Sequence, residues 1–170
     1  MFACRGDVLQ RMYRGAMASW KEFEAAAPAL AAEVQRRLDA YTHKTLATLR
    51  RDGAPRISGT ETEIIQGDLW IGSMWGALKA RDLQRDPRFA LHSGSGDPPG
   101  WTGDAKLAGV AEEVTDPERV RAINGPKAPP GPSHLFRLDL REASTVSVDG
   151  DELVIEVWTA EAGARTIRRA

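Results

Sequence analysis

Apolar residues recur with two different periods along the chain, and the change from one to the other marks its organisation. Ser19 followed by Glu22 has the spacing of a capping box, in which a hydroxyl accepts from a first-turn N–H and a carboxylate reaches back to the cap. Pro28 then stands where a first-turn proline is tolerated, and Leu30, Val34 and Leu38 form a stripe at i, i+4 and i+8. This predicts a short helix after Ser19 and a second through about Ala40. From Lys44 the period shortens to two. Lys44 to Arg51 and Ala54 to about Gln66 read as strands joined by the hairpin turn Asp52-Gly53, and Gly67-Asp68 turns the chain into Leu69 to Ser73. The expected unit is a three-stranded antiparallel meander.

Beyond it, Ala77 to Arg85 reads as a short helix stopped by Asp86-Pro87, Arg88 to Ser93 as a strand, and Gly94 to Gly103 as a loop. Ala105 to Val114 is a fifth strand, Asp116-Pro117-Glu118 opens a helix with acids in its first turn, and Gly125 to Pro132 is a proline-rich loop. His134 to Leu140, Ser144 to Val148 and Leu153 to Trp158 alternate as strands, with Asp149-Gly150 as a turn. Six or more short antiparallel strands with little helix predict a mainly β fold, a closed or partly closed barrel with peripheral helices, because closure removes exposed edges. Residues 1–18 lack a pattern and are expected to form a disordered N-terminal arm, leaving 19–170 as one domain.

Composition narrows the class. A chain of 170 residues, 42% hydrophobic and 28% charged, can bury a core without covalent staples. Cys4 is the sole cysteine, which excludes an intrachain disulfide and a multi-cysteine zinc site and suits a reducing compartment. Lysine and arginine number 23 against 24 acids, a net charge of -1, so nucleic-acid binding through a large basic surface is not expected. The apolar run Ala25 to Ala32 contains Pro28 and falls short of the ~20 residues that span a bilayer. Arg5, Asp7, Arg11 and Arg14 leave no apolar core for a signal peptide. A cytoplasmic protein without membrane contact is expected.

Most catalytic signatures are missing: no Walker A loop, no G-x-G-x-x-G, no G-x-S-x-G and no H-E-x-x-H. The histidines His43, His92 and His134 are far apart in sequence, so surface or loop positions and no metal site are expected. Ser93-Gly94-Ser95-Gly96 leads to proline rather than to a helix, the mark of a flexible loop. Leu69 to Arg81 is more informative, because it runs strand, glycine, helix start with charges of the wrong sign. A helix N-terminus favours acids, yet Lys79 occupies the first turn and Arg81 follows. An anion held by free N–H groups, Lys79 and the Ser73 hydroxyl would resolve the conflict. A lysine on a solvated face has the same spacing, at a cost under about 1 kcal/mol. Arg56, Ser58 and Thr60 alternate on one face of the second strand, either the solvent side or one wall of a groove for a phosphorylated ligand.

In combination, Ala54-Pro-Arg-Ile-Ser-Gly-Thr, Leu69-Trp-Ile-Gly-Ser and Lys79-Ala-Arg-Asp-Leu-Gln-Arg-Asp-Pro-Arg-Phe-Ala-Leu carry a resemblance. Over about His43 to Trp158 the chain resembles the pyridoxamine 5'-phosphate oxidase-like flavin and deazaflavin proteins, the FMN-binding split-barrel family. The resemblance implies a six-stranded antiparallel split barrel, a homodimer with the cofactor at the subunit interface, and redox chemistry on a small-molecule substrate. It implies contacts from Arg56, Ser73 and Lys79 to the FMN phosphate, with Ile57 and Ser58 beside the ring. It assigns no catalytic residue, since the chemistry belongs to the cofactor. Alternatives are a deazaflavin-coenzyme-dependent reductase and a non-catalytic carrier or sensor of flavin or haem. Two departures count against a true pyridoxamine 5'-phosphate oxidase: Leu78 stands where those enzymes have an arginine, and Glu61 where they have a lysine that binds the substrate phosphate. Trp158, Arg165 and Arg168 match the ring-contacting tryptophan and trailing arginines of those enzymes only loosely.

Overall fold

A computed structural model describes residues 16–127 and 130–170, so most of the arm expected over 1–18 lies outside the described residues. The capping box closes as its spacing predicts. Ser19 Oγ accepts from Glu22 N–H at 3.3 Å, and Glu22 accepts from Ser19 N–H at 2.7 Å. It opens helix α1 (Trp20–Ala26), and Pro28 opens α2 (Pro28–Asp39). Trp20 and Phe23 are buried with Leu30, Val34 and Leu38, each contributing about 1.5–3 kcal/mol by leaving water. Ahead of them, Ala18 exchanges backbone hydrogen bonds of 2.9 and 2.7 Å with Leu140.

The strands are β1 (Lys44–Leu49), β2 (Pro55–Thr60), β3 (Glu63–Ile65), β4 (Asp68–Met74), β5 (Arg88–His92), β6 (Asp104–Glu113), β7 (Ser133–Asp149), β8 (Glu152–Thr159) and β9 (Gly163–Arg169). Helix α3 (Leu78–Arg85) follows β4, and α4 (Pro117–Asn124) follows β6 with Asp116 as its cap. The strand order is β2-β1-β5-β6-β7-β4-β3, with β8 on β7 and β9 on β8. All pairs are antiparallel.

The expected meander does not form. The strand predicted from Ala54 to Gln66 breaks at Glu61-Thr62, so β2 pairs with β1 while β3 pairs with β4, at opposite ends of the strand order. No glycine or proline marks this break, and the alternation runs straight through it. Because two residues separate β2 from β3, the two ends of the sheet must lie side by side, and the sheet curls. Strands β2 and β4 approach one another there without sharing a ladder. The six strands β2-β1-β5-β6-β7-β4 therefore make an antiparallel barrel split along one seam.

The strands expected at His134 to Leu140 and Ser144 to Val148 are one strand of 17 residues. A bulge leaves Arg141 opposite no residue of β6, between the pairs Gly109 with Leu140 and Ala108 with Glu142. The bend lets β7 pair with β4 along one stretch and with β8 along the other. Gly109 is required at this point, since a Cβ there would meet the Asp139 carbonyl oxygen at 1.9 Å. Strand β9 lies outside the strands the alternation predicts, because Arg165, Arg168 and Arg169 make it too polar to read as one.

Candidate functional site

The β4–β7 ladder aligns three cross-strand pairs: Leu69 with Leu138, Ile71 with Phe136, and Ser73 with His134. The first two pairs are core, and the third is polar, at the strand end where the chain turns toward α3. Ser73 is 8% exposed, and its Oγ has no hydrogen-bond partner among the described residues. An unsatisfied buried polar group costs about 1–3 kcal/mol. A ligand oxygen at this point would relieve that cost.

Helix α3 has the same open character at its start. No side chain caps it and no acid lies in its first turn. Lys79 occupies that turn, donating from Nζ to the Gly59 carbonyl of β2 at 2.7 Å. Burial pushes the Lys79 pKa below the ordinary lysine range, against an opposing pull from Glu61. One turn further on, Asp82 is buried among donors: Thr48 Oγ1 at 3.0 Å, Arg56 Nε at 2.6 Å and Arg85 Nη2 at 3.0 Å. Burial alone would raise the Asp82 pKa, but these hydrogen bonds outweigh it and hold the carboxyl below its ordinary value.

Lys79 to Gly59 and Arg56 to Asp82 thus tie β2 to the helix that follows β4, across the split seam. A meander would set Arg56 beside the third strand; in the fold it is Asp82 on α3 that holds Arg56 in this region. Ile57 and Ser58 lie in the β1–β2 ladder opposite Ala47 and Leu46, with Ser58 half-buried and Ile57 exposed. Met74, Trp75 and Leu78 are also exposed, so an uncovered apolar patch accompanies the strand end and helix start. Neither Arg56 nor Lys79 contacts Ser73 among the described residues.

His134 is a functional candidate that the surface reading missed. It is 5% exposed, with Nδ1 at 2.6 Å from Glu113 Oε1 and Nε2 accepting from Gly76 N–H at 3.1 Å. Its ring lies flat against Trp75, centroids 4.7 Å apart and planes 7° apart. The signal was present in the alternation, because His134 shares parity with Phe136, Leu138 and Leu140, which face the core. His43 is exposed, 3.8 Å from Glu61, and His92 is half-buried. One loose match needs correction: Trp158 packs in the core against Phe23 at 4.8 Å and is buried away from a ring-contacting position. Arg168 pairs with Asp149 and Glu152. Trp70, on β4, is buried with Ile123 and Leu135.

The sequence profile of the pyridoxamine 5'-phosphate oxidase family matches residues 30–147, from α2 almost to the end of β7. The chain belongs to the pyridoxamine 5'-phosphate oxidase family. A search of curated proteins finds no match. Among solved structures, the conserved hypothetical protein Rv2991 from Mycobacterium tuberculosis is similar at 24% identity and TM-score 0.55, covering 67% of this chain and 82% of its own. A haem-binding protein from Mycobacterium smegmatis is 24% identical at TM-score 0.57, covering 76% of this chain and 57% of its own. PhzG from Burkholderia lata 383, solved with tetrahydrophenazine-1-carboxylic acid, is 14% identical at TM-score 0.59, covering 88% and 92%. At such identities the likenesses establish the fold. Haem-binding and phenazine-ligand proteins thus share the architecture of the pyridoxamine 5'-phosphate oxidase family, and the chemistry of this member has to be argued from its own residues.

Proposed function

We propose that this chain is an FMN-binding oxidoreductase acting on a small organic substrate, with the cofactor phosphate held by Ser73, Lys79 and Arg56 and the ring beside Ile57 and Ser58. The observation that carries the reading is the buried Ser73 hydroxyl, unpartnered among the described residues, a short turn ahead of a helix with no side-chain cap and a lysine in its first turn. A phosphate satisfies all three at once: it accepts from the hydroxyl, balances the ammonium and suits the helix dipole. Arg56 can serve it while remaining on Asp82, because only Nε is engaged there among the described residues. When bound, FMN supplies the capacity to take up or release hydride or electrons. The protein's part is to hold the phosphate end and orient the ring.

Glu61 argues against a pyridoxine phosphate substrate, since it acts on Lys79 from nearby and a carboxylate repels a second dianionic phosphate. A homodimer accompanies this reading, its cofactor at the subunit interface. The exposed Ile57, Met74, Trp75 and Leu78 supply apolar surface for a second copy to cover. A deazaflavin coenzyme, whose longer tail is also anionic, would use Lys79 and Arg81 in a similar way.

The absorbance spectrum of the purified protein distinguishes FMN, deazaflavin and haem. Titration then tests the site. Lys79→Ala removes a charge-assisted hydrogen bond of about 1.5–3 kcal/mol, so FMN affinity should fall by roughly 10- to 100-fold while riboflavin affinity holds. Lys106→Ala, on a lysine paired with Asp104 at 3.1 Å, serves as the control. Equal FMN affinity in the wild type and Lys79→Ala rejects the phosphate site.

A further inference from the structure

A chain of four contacts runs from the turn between β4 and α3 to the far end of that helix, and none of them belongs to the phosphate donors named above. His134 Nε2 accepts from Gly76 N–H at 3.1 Å. Because that amide can only donate, the imidazole proton sits on Nδ1, where it faces Glu113 Oε1 at 2.6 Å. Glu113 also accepts from Gln84 Nε2 at 2.9 and 3.2 Å, on the last turn of α3. The flat stack of His134 on Trp75 completes the set, although Trp75 itself is 66% exposed. One buried imidazole and one carboxylate thereby fix both approaches to α3: its entry through Trp75 and Gly76, and its far end through Gln84.

The turn needs such fixing. Gly76 has φ +72°, a left-handed conformation favoured by glycine, and the helix it feeds has no side-chain cap of its own. We propose that His134, oriented by Glu113, is a positioning residue for the cofactor phosphate: it sets the Trp75–Ala77 turn so that Ser73 and Lys79 address one anion. This rests on the flavin reading above. His134 touches neither the phosphate nor the reacting atoms in this assignment. It acts through the Gly76 amide, and the direction of its two hydrogen bonds is what matters.

The test uses the full-length chain and two substitutions with opposite chemistry. His134→Phe keeps a ring against Trp75 and removes both hydrogen bonds, whereas His134→Gln retains one donor and one acceptor and removes the ring. Hydrogen exchange of the cofactor-free protein reads the turn directly. Residues 74–79 should exchange at least about tenfold faster in His134→Phe and near the wild-type rate in His134→Gln. In titrations, His134→Phe should bind FMN about tenfold more weakly with riboflavin affinity unchanged, and His134→Gln should recover to within about threefold. If His134→Phe fails to fold, Glu113→Ala, which frees Nδ1 at a partly exposed position, carries the same expectations. Unchanged exchange, equal losses for FMN and riboflavin, or a glutamine variant as weak as phenylalanine each overturns the assignment. Wild-type protein that binds no FMN overturns the flavin reading and the phosphate role with it. A flavin-binding wild type with indifferent variants overturns the positioning role alone.

Discussion

Arg37 on α2 and Arg56 on β2 are both held inside the fold by carboxylates, yet their remaining donors are treated differently. Arg37 is 7% exposed, with Nε on Glu33 at 2.7 Å, Nη1 on Thr102 Oγ1 and the Gly103 carbonyl at 2.9 and 2.8 Å, and Nη2 on the Thr102 carbonyl. Every nitrogen of that guanidinium has a partner, and together they hold the end of the loop that leads into β6. Arg56 has a partner for Nε alone among the described residues, and it lies across the seam from a strand end where Ser73 Oγ has none. Saturated donors mark a structural clamp. Donors left open across the seam from a buried hydroxyl that has no partner among the described residues mark a place for something from outside the chain.

The contrast can be broken at its structural end first. Arg37→Ala leaves the two carbonyls and the Thr102 hydroxyl without their donor, and loss of a buried, hydrogen-bonded charge should cost about 3 kcal/mol in urea unfolding. FMN affinity of the folded fraction should stay at the wild-type value. A stable variant with weakened FMN binding would reverse the roles assigned to the two ends.

Asp82→Asn sharpens the other side, because Asp82 is what orients Arg56. Replacing the carboxylate should cost about 2 kcal/mol near neutral pH. Since hydrogen bonding lowers the Asp82 pKa in the fold, its contribution is complete above the unfolded value of about 3.9 and is lost as pH falls through the folded value. The difference in unfolding midpoint between wild type and Asp82→Asn should therefore hold from pH 7 to about pH 4 and narrow progressively below it. Parallel curves would show that the carboxylate adds nothing in its charged form.

The smallest effect is expected from Ser73→Ala. With no partner to lose, the thermal midpoint should hold or rise, by an amount equivalent to at most about 1 kcal/mol, while FMN affinity drops by about three- to tenfold. A drop in stability would mean that the hydroxyl already has a partner within the fold.

Helix signals in this chain are local and were legible: Ser19 with Glu22, Pro28, and Asp116 with Pro117 each fix a helix start through atoms a few residues apart. The expected ends of β4 and α3 survive to within a residue or two, which is why Ser73 and Lys79 could be picked out by spacing. Pairing was less visible. Glu61-Thr62 separates two strands bound for opposite ends of the sheet, and nothing local records it, because the cause is the curl of the whole barrel. His134 is an intermediate case: the alternation of Phe136, Leu138 and Leu140 puts it on the core side, but histidine as a residue type points to the surface. The Glu113 partner lies 21 residues away on another strand, beyond any local pattern.

The outermost strand shows how the same barrel avoids building onto itself. Among the described residues strand β9 pairs only with β8, so its far side there offers a row of amide and carbonyl groups to any strand that drifts past. An antiparallel meeting of two such edges centred on Ile167 would set Arg165 of each copy opposite Arg169 of the other. Like charges directly opposed across a ladder repel. The arginines that disguise β9 as a loop in the sequence make that edge a poor template for fibre growth.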